Sequence, residues 1–238
     1  MTSRRAMAAM LLIAVAALTG TQTPYAAAAP NPPEGISVSA SQTKINWEAV
    51  KSAGIDFAIA NATDGPSYTS PQFNSQYTGA TNTGLIRGAY HFARPNASSG
   101  AAQANYFLAH GGGWQGDGET LPGTVDLEAA GSDTCYGLSA AAMVNWIKDF
   151  SNTYRARADR YPIIHTTTSW WKQCTANDAT FGGDNPLSIA NYAKTPGALP
   201  AGWTSHMFWV YADHRAKVPG EAVQFNGDRG GLERFARG

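Results

Sequence analysis

Residues 123–158 read GTVDLEAAGSDTCYGLSAAAMVNWIKDFSNTYRARA, a stretch that holds a complete strand–turn–helix unit. Residues 123–129 follow a proline and carry β-branched and apolar side chains, which predicts a β-strand. Residues 139–158 predict a helix, because Ser139 is a suitable N-cap and apolar residues recur at three- and four-residue steps. Those apolar residues are Met143, Trp146, Ile147, Phe150 and Tyr154. A strand followed by a helix of this length is the repeating unit of an α/β fold.

The same kind of unit recurs on both sides of this stretch. Further strands are predicted at residues 35–40, 57–63, 86–93, 161–167, 186–192, 207–213 and 222–226. Further helices are predicted at residues 46–53, 71–83, 99–110 and 231–237, so helices become sparse after the fifth strand. About eight strands are enough to close a barrel, and a doubly wound open sheet is the alternative. The first strand is followed by no Gly-rich phosphate-binding motif, so no nucleotide cofactor is expected.

The composition excludes several classes of protein. Apolar residues make up 43% of the 238-residue chain and charged residues only 14%, which excludes an intrinsically disordered protein. The 17 basic residues equal the 17 acidic residues in number, so a nucleic-acid partner is not expected. The 25 glycines and 13 prolines indicate many turns rather than a helical bundle.

The first 29 residues are typical of a secretory signal peptide. Arg4 and Arg5 precede an apolar run at residues 6–18, and a row of alanines at 26–29 supplies a cleavage site. The run is short for a membrane span, and an uncleaved anchor is the alternative. We therefore expect a short leader at residues 30–34, a single domain at residues 35–238, and a secreted protein that is not bound to a membrane. Removing the two arginines leaves 15 basic against 17 acidic residues, a net charge of −2.

Cys135 and Cys174 are the only two cysteines. Because an exported chain meets an oxidising environment, the leading prediction is one disulfide between them. Two free buried thiols or half of a metal site are the alternatives. The sequence has no clustered histidines near the cysteines, so no metal is expected.

Asp126 and Glu128 are the strongest candidates for catalysis. They end the strand at 123–129, and residues two apart on a strand point to the same side, about 6–7 Å from each other along the strand. Functional side chains of a β/α barrel lie at this end of its strands. Two neighbouring carboxylates do not ionise independently, so one pKa tends to rise. A Glu with a raised pKa beside an ionised Asp is the pairing that glycosidic bond cleavage uses.

Other polar residues fall at comparable strand ends. His91 is more typical of a core histidine than of a site residue, and Asp64 before a glycine is also a normal turn residue. The chain has no G-x-S-x-G motif for a serine nucleophile. The substrate-binding residues predicted from these strand ends are Asp64, Tyr90, His165, Tyr192 and Asp213.

Several ordered segments resemble one family, glycoside hydrolase family 25, the Chalaropsis-type lysozymes. The segments are INW at residues 45–47, GAYHFARP at 88–95, LPG at 121–123 leading into VDLE at 125–128, CYGLS at 135–139, TTTSWW at 166–171 and FNG at 225–227. The resemblance implies a flattened TIM-like barrel of the (β/α)5(β)3 type. It also implies cleavage of the bond between N-acetylmuramic acid and N-acetylglucosamine in peptidoglycan, with retention assisted by the substrate's 2-acetamido group. It assigns Glu128 as general acid and base and Asp126 as the residue that orients the acetamido group.

The sequence departs from the family pattern at the strand ends. Ser37 stands where an acid is usual, His165 where a tyrosine is usual, and Asp64 is shorter than the usual glutamate. Asn61, Asn191 and Val210 replace a usual lysine, arginine and glutamine, and an Asp common before FNG is absent from Glu221-Ala222-Val223-Gln224. The resemblance adds Ser37 and Tyr211 to the predicted substrate-binding residues. We expect a lower pKa at Glu128 and pH dependence near 6–7 from His165. Three functions follow: a muramidase acting on peptidoglycan as a monomer, a catalytically impaired carbohydrate-binding protein, or a hydrolase of another N-acetylated glycan.

Overall fold

The computed structural model describes residues 31–238, and the predicted signal peptide at 1–29 lies outside them. The strands are β1 (Glu34–Val38), β2 (Ile55–Asp64), β3 (Tyr68–Thr69), β4 (Ile86–Phe92), β5 (Thr124–Leu127), β6 (Ile163–Thr166), β7 (Leu187–Ala190), β8 (Phe208–Ala212) and β9 (Glu221–Phe225). The helices are α1 (Trp47–Ser52), α2 (Phe73–Asn82), α3 (Gly100–Ala109), α4 (Ala140–Ala158), α5 (Thr168–Thr175) and α6 (Arg229–Arg237).

Eight of these strands close into a barrel. The hydrogen-bonded order is β1-β9-β8-β7-β6-β5-β4-β2, and β1 also pairs with β2, which completes the ring. The pairs are parallel from β1 through β8, whereas β9 runs antiparallel to both β8 and β1. A helix follows each of β1, β2, β4, β5 and β6, and no helix separates β7, β8 and β9. This arrangement confirms the predicted (β/α)5(β)3 barrel.

The predicted elements are found with ends shifted by at most two residues. Ser99 and Ser139 cap α3 and α4 as expected, since their Oγ atoms accept hydrogen bonds from the main-chain N–H of Ala102 and Ala142. Two elements were not predicted. They are the two-residue strand β3, which pairs with the end of β2, and helix α5, which begins at its N-cap Thr167.

Two apolar cores hold the barrel together. The larger lies between the strands and the surrounding helices, and it includes Ile36, Phe107, Phe150 and Trp171. The smaller fills the barrel interior and includes Phe57, Phe208 and Phe225, together with Leu232 of α6. Gly35 is required beside this inner core, because a Cβ there would lie 2.3 Å from the Phe57 ring. Among residues 31–238, every helix is too short or too polar to cross a bilayer.

Helix α4 fixes the start of the strand that bears the candidate carboxylates. The phenol of Tyr154 accepts a hydrogen bond from the Gly123 N–H at 2.7 Å and donates one to the Gly112 carbonyl at 2.7 Å. At the other end of β5, the Thr166 hydroxyl donates to the Leu127 carbonyl at 2.9 Å. The strand is therefore anchored on both sides of Asp126.

Candidate active site

Asp126, Glu128 and His165 meet at the carboxyl end of the barrel. Asp126 lies in β5, and its register neighbour on β6 is His165, whose own neighbour on β7 is Ser188. Glu128 follows the last residue of β5. At least one oxygen or nitrogen from each of Asp126, Glu128 and His165 lies within 4.8 Å of the others. We call these three residues the acid cluster.

His165 is held through both of its ring nitrogens. Nε2 lies 3.4 Å from Glu128 Oε1, and Nδ1 lies 2.9 Å from the Ser188 hydroxyl. The Glu128 main chain is fixed separately, because the Tyr136 hydroxyl donates to its carbonyl oxygen at 2.7 Å. Tyr136 lies in the CYGLS segment, and nothing in that local pattern indicates that it reaches back to Glu128. The proposed acid is thus positioned through both its side chain and its backbone.

The protonation of the acid cluster differs from the simple expectation. Burial raises the pKa of Asp126 to about 8, and the negative charge of Glu128 adds to this while His165 opposes it. The hydrogen bond from His165 lowers the pKa of Glu128, against the effect of burial. The raised carboxyl pKa therefore belongs to Asp126 and not to Glu128, because the deeper carboxylate lacks a direct cationic partner. Asp126 Oδ1 has no hydrogen-bond partner among the described residues.

His165 is held in its charged form. Burial by itself lowers the pKa of this imidazole, but the hydrogen bond with Glu128 and the charges of Asp126, Glu128 and Glu221 outweigh it and raise the pKa to about 9. The pH dependence near 6–7 that the sequence predicted for His165 is therefore wrong. The prediction rested on the replacement of Tyr by His in one strand. The sequence does not show that Asp126, Glu128 and Glu221 surround that position in the fold.

Glu221 is an acid of the site that was not among the predicted site residues. It is the register partner of Ser37 across β1 and β9, and both residues line a small enclosed cavity of about 40 Å³ that also contacts Asp126. Tyr192 donates a hydrogen bond to the Glu221 carboxylate. Glu221 lies four residues before the FNG segment, and its position in the sequence does not indicate that it pairs with Ser37.

Asp64 and Tyr90 lie near the acid cluster. Asp64 makes a two-bond ion pair with Arg94, with Nε–Oδ1 and Nη2–Oδ2 distances of 2.6 Å each. Tyr90 lines the enclosed cavity with Asp126, and burial together with that charge raises the pKa of its phenol. Arg94 is the cation on this side of the site, and it was predicted only as part of the GAYHFARP segment and not as a site residue.

Two predicted binding residues point elsewhere. Tyr211 donates a hydrogen bond to Glu34 Oε2 at 2.6 Å, whereas its neighbour Val210 lines the cavity inside the barrel. The Tyr211 ring packs against Trp209 at a centroid distance of 5.5 Å, and Trp209 packs against the larger, outer core, so the placement of Tyr211 in the substrate site is a correction. Asp213 is exposed and pairs with His214.

His91 also lies away from the cluster. It is fully buried, with Nδ1 2.8 Å from the Thr63 hydroxyl and Nε2 2.9 Å from Gln103 Oε1. Burial lowers the pKa of its imidazole to about 4. The structure therefore places it as a neutral core histidine.

An open cleft of about 620 Å³ begins at Glu128. Its polar lining consists of Glu128, Thr167, Thr168, Ser169, Asn191 and Tyr192. The volume of the cleft is large enough for sugar rings, and the hydroxyl and amide groups of its lining are suited to hydrogen bonds with the hydroxyl groups of a sugar. Glu128 is about one-third exposed, so its carboxylate is accessible from the cleft.

The predicted disulfide is confirmed. Cys135 and Cys174 are bonded, which links the loop after β5 to helix α5 beside the cleft.

Within residues 31–238, the acid cluster is the one group of side chains whose spacing could hold a metal ion. Both imidazole nitrogens of His165 already have partners, and a protonated imidazole does not bind metals. The arrangement therefore fits an ion pair better than a metal centre.

Comparisons with known proteins agree with this geometry. The model of the family "Glycosyl hydrolases family 25" matches residues 36–220. An N,O-diacetylmuramidase of Chalaropsis sp is 50% identical over 210 residues, covering 86% of this chain and 99% of that protein. A family GH25 lysozyme from Aspergillus fumigatus has a similar structure with a TM-score of 0.85 and 43% identity, over 87% of this chain and 100% of that one. A muramidase from Acremonium alcalophilum has a TM-score of 0.84 and 48% identity, over 86% and 99%. The chain belongs to family 25 of the glycosyl hydrolases.

Proposed function

We propose that this protein is a secreted muramidase that cleaves the β-1,4 bond between N-acetylmuramic acid and N-acetylglucosamine in peptidoglycan. The observation that carries the proposal is the pair of carboxylates, Asp126 and Glu128, at the end of β5 beside the open cleft. Relatives that are named muramidases and share about half of the sequence support the choice of substrate. One chain supplies every residue of the site, so we propose that the protein acts as a monomer.

Glu128 is the proposed general acid and base. It is the more accessible of the two carboxylates and borders the cleft, so it can reach the oxygen between two sugar rings. In the first step it protonates that oxygen as the bond to C1 breaks, and in the second it takes a proton from the attacking water. Its main chain is fixed by Tyr136, which limits movement of the carboxylate between the two steps.

Asp126 is the proposed partner of the substrate's 2-acetamido group. Its buried Oδ1 has no hydrogen-bond partner among residues 31–238, so it can accept a bond from the acetamido N–H. That bond directs the acetamido carbonyl oxygen towards C1, where it replaces a protein nucleophile. The nearest oxygens of Asp126 and Glu128 lie within 4.8 Å of each other, closer than the roughly 6.5–9.5 Å between the carboxylates of an inverting pair, which supports retention.

We further propose that residues 1–29 direct export and are removed, and that residues 35–238 form the catalytic domain. The positive start and apolar run of the first residues support export, and the barrel begins with β1 at Glu34. The amino-terminal sequence of the secreted protein tests this, with a new terminus expected close to Pro30.

A second candidate function is carbohydrate binding without hydrolysis. The observation that favours it is the lowered pKa of Glu128, because a general acid must carry a proton when the bond breaks. The changes at Ser37, Asn61, Asn191 and Val210 point in the same direction, since each removes a usual charged or polar group from the strand ends.

The deciding experiment is the release of reducing ends from purified peptidoglycan by the mature protein and by Glu128→Gln. The muramidase proposal predicts release by the first and a loss of at least about 100-fold in the second. Binding to peptidoglycan without release by either protein would establish the binding function. Release from chitin oligomers but not from peptidoglycan would assign a different N-acetylated glycan as substrate.

A further inference from the structure

His165 is the one histidine of the described chain that contacts a proposed catalytic carboxylate. Its side chain is 13% exposed, and it lies between Glu128 on one side and Ser188 on the other. Ser188 is itself buried, with a relative exposure of 3%. The ring therefore has one fixed orientation, with Nε2 directed at Glu128 Oε1.

The groups around His165 come from most of the barrel strands. The titratable and charged groups that face the acid cluster are Tyr90 of β4, Asp126 of β5, Glu128 and Tyr136 after β5, Tyr192 after β7, Glu221 of β9 and the Asp64–Arg94 pair at the ends of β2 and β4. The one cation of that set other than His165 is Arg94, and Asp64 neutralises it through two hydrogen bonds. The site therefore has an excess of acidic groups that favours a positive charge on the ring.

We propose, on the basis of the muramidase function, that His165 is a positioning residue that acts through Glu128. Its imidazolium holds the Glu128 carboxylate in one orientation and supplies the proton that Glu128 passes to the glycosidic oxygen. The geometry behind this is the contact of Nε2 with Glu128 Oε1 and the contact of Nδ1 with Ser188. It explains how a glutamate that is ionised in the free protein still acts as an acid.

The proton transfers balance over one catalytic cycle. The Nε2 proton moves to Glu128 Oε1, and Glu128 transfers it to the glycosidic oxygen while the electron pair of the C1–O bond stays with that oxygen. The acetamido carbonyl oxygen then binds C1 and carries the positive charge. A water molecule then attacks C1 as the bond between C1 and the acetamido oxygen breaks, and the electron pair of that bond returns to the acetamido oxygen and neutralises its charge. The water gives one proton to Glu128, which returns it to Nε2, so His165 and Glu128 end the cycle as they began.

A purely structural His165 would leave the pH dependence of the reaction unchanged when it is replaced by a side chain of similar size. The test uses His165→Tyr, with the exposed His214→Gln as a matched control. The pH profile of kcat/KM is measured on soluble peptidoglycan fragments. We expect the alkaline limb of His165→Tyr to lie at least about one pH unit below that of the wild type, because Glu128 must then hold its own proton. We expect His214→Gln to leave the limb in place.

A second measurement is independent of activity. The imidazoles of isotopically labelled protein are titrated by NMR in the wild type and in Glu128→Gln. We expect the pKa of His165 to lie above the ordinary histidine value in the wild type and to fall by about one unit or more in the variant, since the ion pair is lost. A His165 pKa below about 6.5 in the wild type would overturn the proposal.

The two measurements separate the failure of this inference from the failure of the proposed function. If the wild type releases no reducing ends at any pH, the muramidase function itself is wrong, and His165 has no reaction to assist. If the wild type is active and His165→Tyr keeps the same alkaline limb, the function stands and the role of His165 is refuted.

Discussion

Asp126 and Glu128 are two residues apart and carry opposite pKa shifts. Burial raises the pKa of Asp126, whereas the contact with His165 lowers that of Glu128. The difference arises from depth: Asp126 lines the enclosed cavity, and Glu128 lines the open cleft. A single imidazole next to the outer carboxylate therefore decides where the protons of the site reside.

The buried carboxyl of Asp126 is expected to reduce stability as the pH rises. Its pKa is about 8 in the folded protein and about 3.9 in an unfolded chain, so between these values the folded state keeps a proton that the unfolded state releases. Its contribution to the free energy of unfolding therefore falls between about pH 4 and pH 8. Asp126→Asn should change stability little at the acidic end and raise it by more than about 1 kcal/mol at the alkaline end.

Thermal unfolding across this pH range tests the prediction for Asp126. Asp213→Asn serves as the control, because Asp213 is an exposed acid on the same side of the barrel. A gain in melting temperature that does not depend on pH, or one shared by the control, would contradict the explanation.

Glu221 is expected to influence the site by its charge. Its negative charge raises the pKa of both Asp126 and His165. Glu221→Gln preserves the shape and can still accept the hydrogen bond from Tyr192. The alkaline limb of kcat/KM should move to lower pH by about half a unit, since less negative charge favours loss of the proton from His165. Glu233→Gln on α6 is the matched control, and equal profiles for the two variants would refute the effect.

At the scale of elements, the packing of α3 against α4 depends on one glycine. A Cβ at Gly100 would lie 2.3 Å from the Trp146 carbonyl oxygen and 2.5 Å from the Phe150 nitrogen, and both are backbone atoms that cannot rotate away. Alanine favours a helix over glycine by about 1 kcal/mol, but the overlap with a packed backbone costs about 1–3 kcal/mol or more. Gly100→Ala should therefore lower the melting temperature.

Gly113→Ala is the matched control for Gly100. A Cβ at Gly113 would meet no atom within 4 Å, so this change should leave stability the same or slightly higher. Calorimetry of both variants tests the difference. Equal melting temperatures would show that α3 can move away from α4 without lowering the free energy of unfolding, contrary to this prediction.

The Cys135–Cys174 disulfide links the loop after β5 to α5 across 39 residues. In the chain-entropy model, closing a loop of this size stabilises the folded state by roughly 3–4 kcal/mol. Cys135→Ala with Cys174→Ala should therefore lower the melting temperature by about 10 °C for a domain of this size. Because Tyr136 adjoins Cys135 and holds the Glu128 carbonyl, activity should also fall.

A reducing agent should lower the melting temperature of the wild type only. An equal shift in the double variant would show that the disulfide is not the source of the stabilisation.

The elements that were predicted correctly have strong local patterns. Helix α4 combines a cap with a long apolar periodicity, and the strand at β5 has a proline and glycine before it. Helix α5 has eight residues, too few for a periodicity to be distinguished from chance. The position of Tyr211 was predicted wrongly because the strand pattern does not reveal which of two alternating faces is the inner one. Tyr136 and Glu221 reach the site only after a loop folds back and the barrel closes, so local sequence carries no sign of either approach.

At the scale of the whole molecule, the last strand creates the site as much as β5 does. Strand β9 lies between β8 and β1, and this pairing places Glu221 beside Ser37. Closure thus brings a carboxylate from the far end of the chain to the position at which β1 has lost one. Ser37 and Glu221 are therefore neighbours across the closing strand pair although they are far apart in the sequence.

The charge of the whole chain predicts how salt affects substrate binding. Without its first 29 residues the protein has 15 basic and 17 acidic residues. Asp126 and Glu221 line the inner cavity, and Glu128 lines the open cleft. A negatively charged glycan is therefore not attracted by long-range electrostatics, and hydrogen bonds in the cleft must provide the affinity. The KM for peptidoglycan should stay within about twofold, or fall, as salt rises from low to physiological ionic strength, because salt screens repulsion rather than attraction. Initial rates at a series of salt concentrations measure this, with an uncharged chitin oligomer as the control substrate. A KM that rises several-fold with salt on peptidoglycan alone would show that cationic groups such as Arg94 dominate recognition, contrary to this expectation.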